Sequence, residues 1–229
     1  MKILNKIKNW LYALEIVITV IIVVLIFFIA PSSNLWIRRK WAKMQRFLIG
    51  YKIDVIGSPD PRANMIIANH QSMLDIMALE DIHPANICWI AKKEIEDLPF
   101  FGNVIRIPKM ISIDRKDPRS LPKIVKLVKE RVSQGRVIAI FPEGTRGNGD
   151  KILKFKSGAN IIANKLNLVV QPVLIIGSRK ILDSKSISIN PGILKVIYMD
   201  IVDTSNENWL DDTRAKMQEL LEDNLTNIG

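Results

Sequence analysis

Two side chains five residues apart, His70 and Asp75, are of the types that move protons together. A carboxylate holding one ring N–H fixes the imidazole tautomer and leaves the other nitrogen as a base. Both belong to Asn69-His70-Gln71-Ser72-Met73-Leu74-Asp75. The apolar run before this stretch, Met65-Ile66-Ile67-Ala68, reads as a buried strand, and 72–79 reads as a helix. A corner between strand and helix presents the residue at its tip, here His70, to a cleft. A structural reading stands beside this one. Ser72-x-x-Asp75 also fits a capping box, with Ser72 at the N-cap and Asp75 at the third helical position. The two roles are compatible.

A second stretch shifts the balance towards chemistry. Phe141-Pro142-Glu143-Gly144-Thr145-Arg146 follows another apolar run, 137–140. Arg146 suits a phosphate, because its planar fork donates two parallel hydrogen bonds. Glu143 can accept from a ligand hydroxyl, Gly144 permits a close backbone approach, and Thr145 offers a hydroxyl. An internal Glu–Arg pair is the plainer alternative. A third stretch runs Lys92-Lys93-Glu94, Pro99-Phe100-Phe101-Gly102, then Ile111-Ser112-Ile113-Asp114-Arg115. Arg115 ends an apolar strand, where a second cation can meet the same anion; an ordinary surface arginine fits equally. The predicted helix 157–166 starts after Phe155-Lys156, and its N-terminus also suits an anion. Lys156 is the weaker candidate.

The elements that must carry these residues follow from periodicity. Strands are predicted over 51–56, 65–69, 87–91, 111–113, 137–141, 168–175 and 194–201. Helices are predicted over 72–79, 94–104, 121–133, 157–166 and 206–225. In the third, Leu121, Ile124, Val125, Val128 and Val132 form one apolar stripe, with Pro122 in the first turn and Gly135 past the end. Strands alternating with helices imply an α/β layered domain with a mixed, largely parallel sheet flanked by helices, over 51–229.

Residues 1–50 are a different object. The run 11–30 is apolar except for Glu15 and Thr19, and about 20 helical residues span a bilayer core. Glu15 lies near one end of that run, within expected reach of water. Pro31 follows where a signal peptide would carry small cleavage-site residues, which argues against removal. In 35–49, Trp36, Trp41 and Phe47 alternate with Arg38, Arg39, Lys40, Lys43 and Arg46, as in a basic amphipathic helix at a membrane interface; a helix packed on the domain that follows is the other reading, and the two are compatible. Both flanks of the apolar run are basic, so charge does not choose between a single span and a helix that bends back.

The chain has 229 residues, a net charge of +10 and a mean hydropathy of +0.14. Eight basic residues against one Glu put +7 of that charge in residues 1–50, leaving +3 for the rest. Basic residues flanking an apolar run fit anionic lipid. With no basic groove and no aromatic platform in the remainder, nucleic acid is excluded as a partner. The single Cys88 excludes an intrachain disulfide, and His70, His83 and Cys88 have no familiar metal-ligand spacing.

Taken together, Asn-His-x4-Asp, the Lys-x-Glu block with Pro-x-x-Gly and a terminal Ile-Asp-Arg, then Phe-Pro-Glu-Gly-Thr-Arg, resemble the glycerolipid acyltransferases. The nearest pattern is that of the bacterial membrane 1-acylglycerol-3-phosphate acyltransferases. A fourth family block, apolar residues around a proline, is matched by Val169-Val170-Gln171-Pro172-Val173. The resemblance covers roughly 50–200. Two departures stand out: Lys109 occupies a position where the family usually carries glycine, and Met73 one where an aromatic is common.

The resemblance implies that His70 removes the proton from the sn-2 hydroxyl of lysophosphatidic acid as it attacks an acyl thioester, with Asp75 orienting the ring. It implies that Arg115 and Arg146 hold the acceptor phosphate, Glu143 contacts the glycerol, and Gly144 and Thr145 shape the site. The co-substrate is acyl-CoA or acyl carrier protein, with no cofactor and no metal. The product is phosphatidic acid, made at the bacterial inner membrane by a domain facing the cytoplasm. Another lysolipid acceptor, a hydrolase using Ser72, and a non-catalytic membrane tether are the alternatives. The hydrolase lacks a Gly-x-Ser-x-Gly elbow.

Overall fold

The computed structural model describes residues 2–114, 117 and 120–226. Helix α1 (Lys2–Ile29) is followed by a 3₁₀ turn, Pro31–Ser33, and by α2 (Asn34–Ile49). The two helices run antiparallel around a polar seam. Trp41 Nε1 and Gln45 Nε2 donate to Thr19 Oγ1 at 3.0 and 3.1 Å, and Gln45 Nε2 also donates to Glu15 Oε1 at 2.8 Å. One Glu15 oxygen therefore meets the fully buried Gln45 amide inside the hairpin, while its buried Oε2 has no partner among the described residues. This is where the chain differs from the expectation for that residue: an acid in an apolar helix needs a partner, and the fold-back supplies one. Residues 6–29 of α1 are long and apolar enough to cross a bilayer, and most of that stretch is uncovered.

The domain that follows begins with β1 (Lys52–Ile56), β2 (Met65–Ala68), α3 (Leu74–Ile82) and β3 (Ile87–Lys92). Next come two single turns, α4 (Lys93–Glu96) and α5 (Asn103–Arg106), then β4 (Ile111–Ile113), α6 (Ser120–Ser133) and β5 (Val137–Ile140). The remainder is α7 (Gly158–Leu166), β6 (Val170–Ile176), α8 (Ser178–Ile181), the short β7 (Leu182–Asp183) and β8 (Ser188–Ile189), β9 (Ile193–Tyr198) and α9 (Trp209–Thr226). All seven predicted strands enter one sheet, in the order β1-β9-β6-β2-β5-β3-β4. Every neighbouring pair is parallel except β6 with β9. The sheet is mixed and largely parallel, and helices cover both faces.

Alternation along the strands sorts the core. Met65, Ile67, Ile138 and Ile140 pack with α6, α7 and α9, while Ile66, Ala68, Trp89 and Ala139 pack on the side of α2 and α3. Because both faces are covered, β2 and β5 are buried at every position and read as unbroken apolar runs.

The predicted helix 94–104 is broken into α4 and α5. Phe100 sits at φ 59°, and a Cβ at Gly102 would lie 1.9 Å from the Glu96 carbonyl oxygen. The Pro-x-x-Gly run is thus a tight turn that only glycine closes. Lys109 also lies in the left-handed region, at φ 53°. Its carbonyl accepts from Arg131 Nε at 2.9 Å and Arg136 Nη1 at 3.2 Å. Those two half-hidden guanidinium contacts hold a lysine in a conformation that suits glycine. The β7–β8 hairpin and α8 have no counterpart among the predicted elements, since pieces of two to four residues are too short for periodicity to show.

Candidate active site

Strands β2 and β5 are adjacent and parallel, with Ile67 opposite Ile140. Their carboxyl ends therefore open at one edge of the sheet, although the paired Ile67 and Ile140 are 73 residues apart in sequence. Such edges are where open α/β sheets place their ligands. The loop with His70 leaves β2 there, and the loop with Glu143 and Arg146 leaves β5 beside it.

Past Ala68 the ladder between β2 and β6 stops, and the buried Asn69 side chain takes over. Its Nδ2 donates to the Ile175 carbonyl at 2.8 Å and its Oδ1 accepts the Ile175 N–H at 2.7 Å. The chain is thereby turned out of the sheet one residue before His70. Asp75, fully buried in the first turn of α3, brings one oxygen back to the loop. Its Oδ2 lies 2.8 Å from His70 Nδ1 and accepts the N–H groups of Gln71 at 2.7 Å and Ser72 at 2.9 Å. Ser72 Oγ accepts the Leu74 N–H at 3.1 Å and donates to the Leu182 carbonyl at 2.6 Å. The N-cap of α3 is Met73, with no side-chain cap bond, so the box expected with Ser72 at the N-cap does not close; Asp75 instead holds the Ser72 N–H together with the imidazole, and the serine hydroxyl is committed inside the fold rather than offered to a substrate. Among the described residues, His70 Nε2 makes no hydrogen bond, so it is the nitrogen left to exchange a proton.

The second loop grips His70 by its backbone. Glu143 Oε1 accepts the His70 N–H at 2.6 Å, and Gly147 N–H donates to the His70 carbonyl at 2.7 Å. Glu143 Oε2 accepts the Leu153 N–H at 2.8 Å. Glu143 is 3% exposed, and burial pushes its carboxyl up to about 7, against the pull of the two backbone N–H groups. The sequence expectation gave this carboxylate to a ligand hydroxyl; here both oxygens meet the chain's own amides. Gly144 turns the loop at φ 71°. Thr145 and Arg146 are exposed, and Arg146 Nη1 donates to Ser184 Oγ at 2.7 Å. Arg179, which sequence reading passed over, supports the same loop: its Nη1 donates to the Gly147 carbonyl at 3.0 Å and to Asn148 Oδ1 at 2.8 Å. Arg115 lies outside the described residues. Lys156 is exposed, just before α7.

One ring packs against the imidazole. Phe141 stacks on His70 with centroids 4.0 Å apart and an interplanar angle of 9°. Period-two alternation explains this: residues 66, 68 and 70 share one face of the sheet with 139 and 141.

A family model described as Acyltransferase matches residues 53–176, which hold both loops. The chain belongs to this acyltransferase family. A 1-acyl-sn-glycerol-3-phosphate acyltransferase of Helicobacter pylori is 39% identical over 222 residues, 93% of this chain and 94% of its own length. A lyso-ornithine lipid O-acyltransferase of Rhizobium meliloti is 29% identical over 123 residues, 53% of this chain and 41% of its own. The crystal structure of a 1-acyl-sn-glycerophosphate acyltransferase, PlsC, from Thermotoga maritima superposes with a TM-score of 0.77 at 23% identity, covering 99% of this chain and 97% of that one. The acyltransferase thus shares the PlsC fold over its whole length, N-terminal helices included.

Sequence reading missed Asn69, Phe141, Gly147 and Arg179 as parts of this candidate site. The first two stood inside the motifs but carry no titratable group. Gly147 and Arg179 act through main-chain contacts, which leave no trace in residue type.

Proposed function

We propose that this acyltransferase moves the acyl group of a thioester to the sn-2 hydroxyl of 1-acylglycerol 3-phosphate, giving phosphatidic acid. His70 Nε2 takes the hydroxyl proton while the oxygen attacks the thioester carbonyl. The tetrahedral intermediate collapses, the C–S bond breaks, and the thiolate leaves with the proton returned from the imidazolium. Asp75 holds Nδ1–H throughout and balances the charge on the ring. Arg146 receives the acceptor phosphate, with Arg115 as the second cation and Gly144 and Thr145 shaping the approach. Glu143 serves this site through the main chain of His70. The acyl donor, CoA or acyl carrier protein, is a substrate, and no cofactor enters the reaction.

The single observation that carries this reading is the contact of Gly147 with the His70 carbonyl. It holds the backbone of the loop that carries Arg146 against the residue whose imidazole Asp75 contacts, which supports a shared site. The likeness to the H. pylori enzyme over almost the whole of both chains supports the acceptor. The uncovered apolar face of α1 and the basic α2 support a seat on the cytoplasmic face of the bacterial inner membrane, where acceptor and product both reside.

The test is an assay of purified protein with lysophosphatidic acid, acyl-CoA and acyl carrier protein as donors, and His70→Ala in parallel. Transfer should fall at least about a hundredfold in the variant, the scale of a lost general base. A folded His70→Ala protein that retains activity would reject the base. The likeness to a lyso-ornithine lipid acyltransferase supplies the rival acceptor. Preference for that phosphate-free lipid would reject the arginine site.

A further inference from the structure

We propose that Phe141 and Trp89 are positioning residues for the imidazole of His70, and that Glu80 and Arg38 tie their stack to helix α2. The proposal rests on His70 being the base.

The hydrogen bond that Nδ1–H donates to Asp75 fixes one atom of the ring but leaves rotation about that contact. A flat aromatic neighbour removes the rotation by fixing the ring plane. Phe141 provides that face at 4.0 Å, and Trp89 stacks behind Phe141 at 5.3 Å with an interplanar angle of 18°. Trp89 is in turn held by its polar edge: Nε1 donates to Glu80 Oε1 at 2.7 Å. The same Glu80 oxygen accepts from Arg38 Nη1 in a buried ion pair. Arg38 Nη2 reaches Asn86 Oδ1 at 2.9 Å.

Both charges of that pair are over nine-tenths buried. A buried ion pair adds little net stability over apolar replacements, so its presence points to orientation. What it orients is the indole. A continuous column then runs from Arg38 on α2, through Glu80 on α3 and Trp89 on β3, to Phe141 at the end of β5 and the imidazole. Helix α2 is the partner of α1, whose outer face is apolar. How the hairpin seats is therefore transmitted to the plane of the reacting ring.

The experiment uses the full chain in detergent and two readouts. The first is kcat and KM with lysophosphatidic acid. The second is the ring C–H resonance of His70, which is resolvable because the chain has two histidines and is assigned with His70→Ala. Phe141→Leu should lower kcat about tenfold or more while KM stays within about twofold. It should also move the His70 resonance downfield, because the shielding face is gone. Phe141→Tyr should restore both. Trp89→Leu should act in the same direction and Trp89→Phe should rescue it. Glu80→Leu, which leaves the indole N–H without its acceptor, should shift the His70 signal, whereas Glu80→Gln, which keeps an acceptor, should not.

A folded Phe141→Leu protein with an unmoved resonance or an unchanged kcat overturns the stack. An equal loss in kcat/KM through KM alone also overturns it, by making Phe141 a binding residue. A Glu80→Leu signal that stays in place overturns the link to α2. The resonance is read without substrate, so it decides on the stack even if another lysolipid proves to be the acceptor.

Discussion

The carboxylate of Glu143 accepts the main-chain N–H of His70 at 2.6 Å, so the two loops at the carboxyl edge of β2 and β5 are joined through the backbone of His70. A residue expected to face the ligand is spent on holding the imidazole's own peptide unit.

Glu143→Gln tests that relation. The amide oxygen can still accept from His70, but its NH2 then faces the Leu153 N–H, and one bond is lost. We expect kcat to fall about tenfold with a smaller change in KM, a loss on the scale of about 1 kcal/mol for one hydrogen bond. Stability adds a pH signature. The carboxyl titrates at about 7 in the fold against an ordinary 4.5, so the fold keeps its proton longer than the unfolded chain does. That contribution is fully present below 4.5 and is lost as pH rises through about 7. From pH 5 to pH 8 the natural protein should lose roughly 2.5 kcal/mol relative to Glu143→Gln. Denaturant unfolding at several pH values measures it. His83, held down to about 4 by burial, slopes the opposite way below its ordinary value, but equally in both proteins.

Asp75→Asn should separate capping from catalysis. Asparagine can keep its oxygen on the N–H groups of Gln71 and Ser72. Its NH2 would then face Nδ1 and force the ring proton onto the other nitrogen. Activity should drop at least about a hundredfold while stability falls by less than about 2 kcal/mol. Equal losses of both, seen in paired kinetic and unfolding measurements, would make Asp75 a cap alone.

Arg146→Ala removes an exposed side chain that, among the described residues, bonds Ser184. Stability should change by less than about 0.5 kcal/mol. The KM for the phosphate acceptor should rise roughly ten- to hundredfold, the worth of a charge-assisted hydrogen bond. Ser184→Ala, which frees Arg146 without removing it, should cost much less.

Lys109→Gly relieves a left-handed residue at φ 53°. The strain released, about 1–2 kcal/mol, exceeds the added entropy of the unfolded chain, about 0.5–1 kcal/mol. The variant should therefore be about 0.5 kcal/mol more stable by denaturant unfolding, with activity unchanged. A loss of stability would mean that the lysine side chain itself anchors the turn.

The strands were legible because a sheet covered on both faces demands unbroken apolar runs such as 65–68 and 137–140. Helix α6 was legible for its single stripe over a polar face. The break between α4 and α5 was not, because it depends on Gly102 meeting Glu96 across the turn, a contact made only in three dimensions. Glu15 was misplaced for the same reason: its partner, Gln45, is 30 residues away on a helix that had to fold back first.

Residue types and their local spacing were enough to determine the strand–helix alternation, the apolar N-terminal helix and the His70–Asp75 pair, since each is written in one continuous stretch of chain. Only the tertiary structure decided that Glu143 points inward, that Phe141 lies flat on the imidazole, and that Arg146 stands one residue from a bond to His70. These depend on β2 and β5 becoming neighbours across 73 residues, and adjacency in a sheet is settled by burial of both strands together, not by either strand's own sequence.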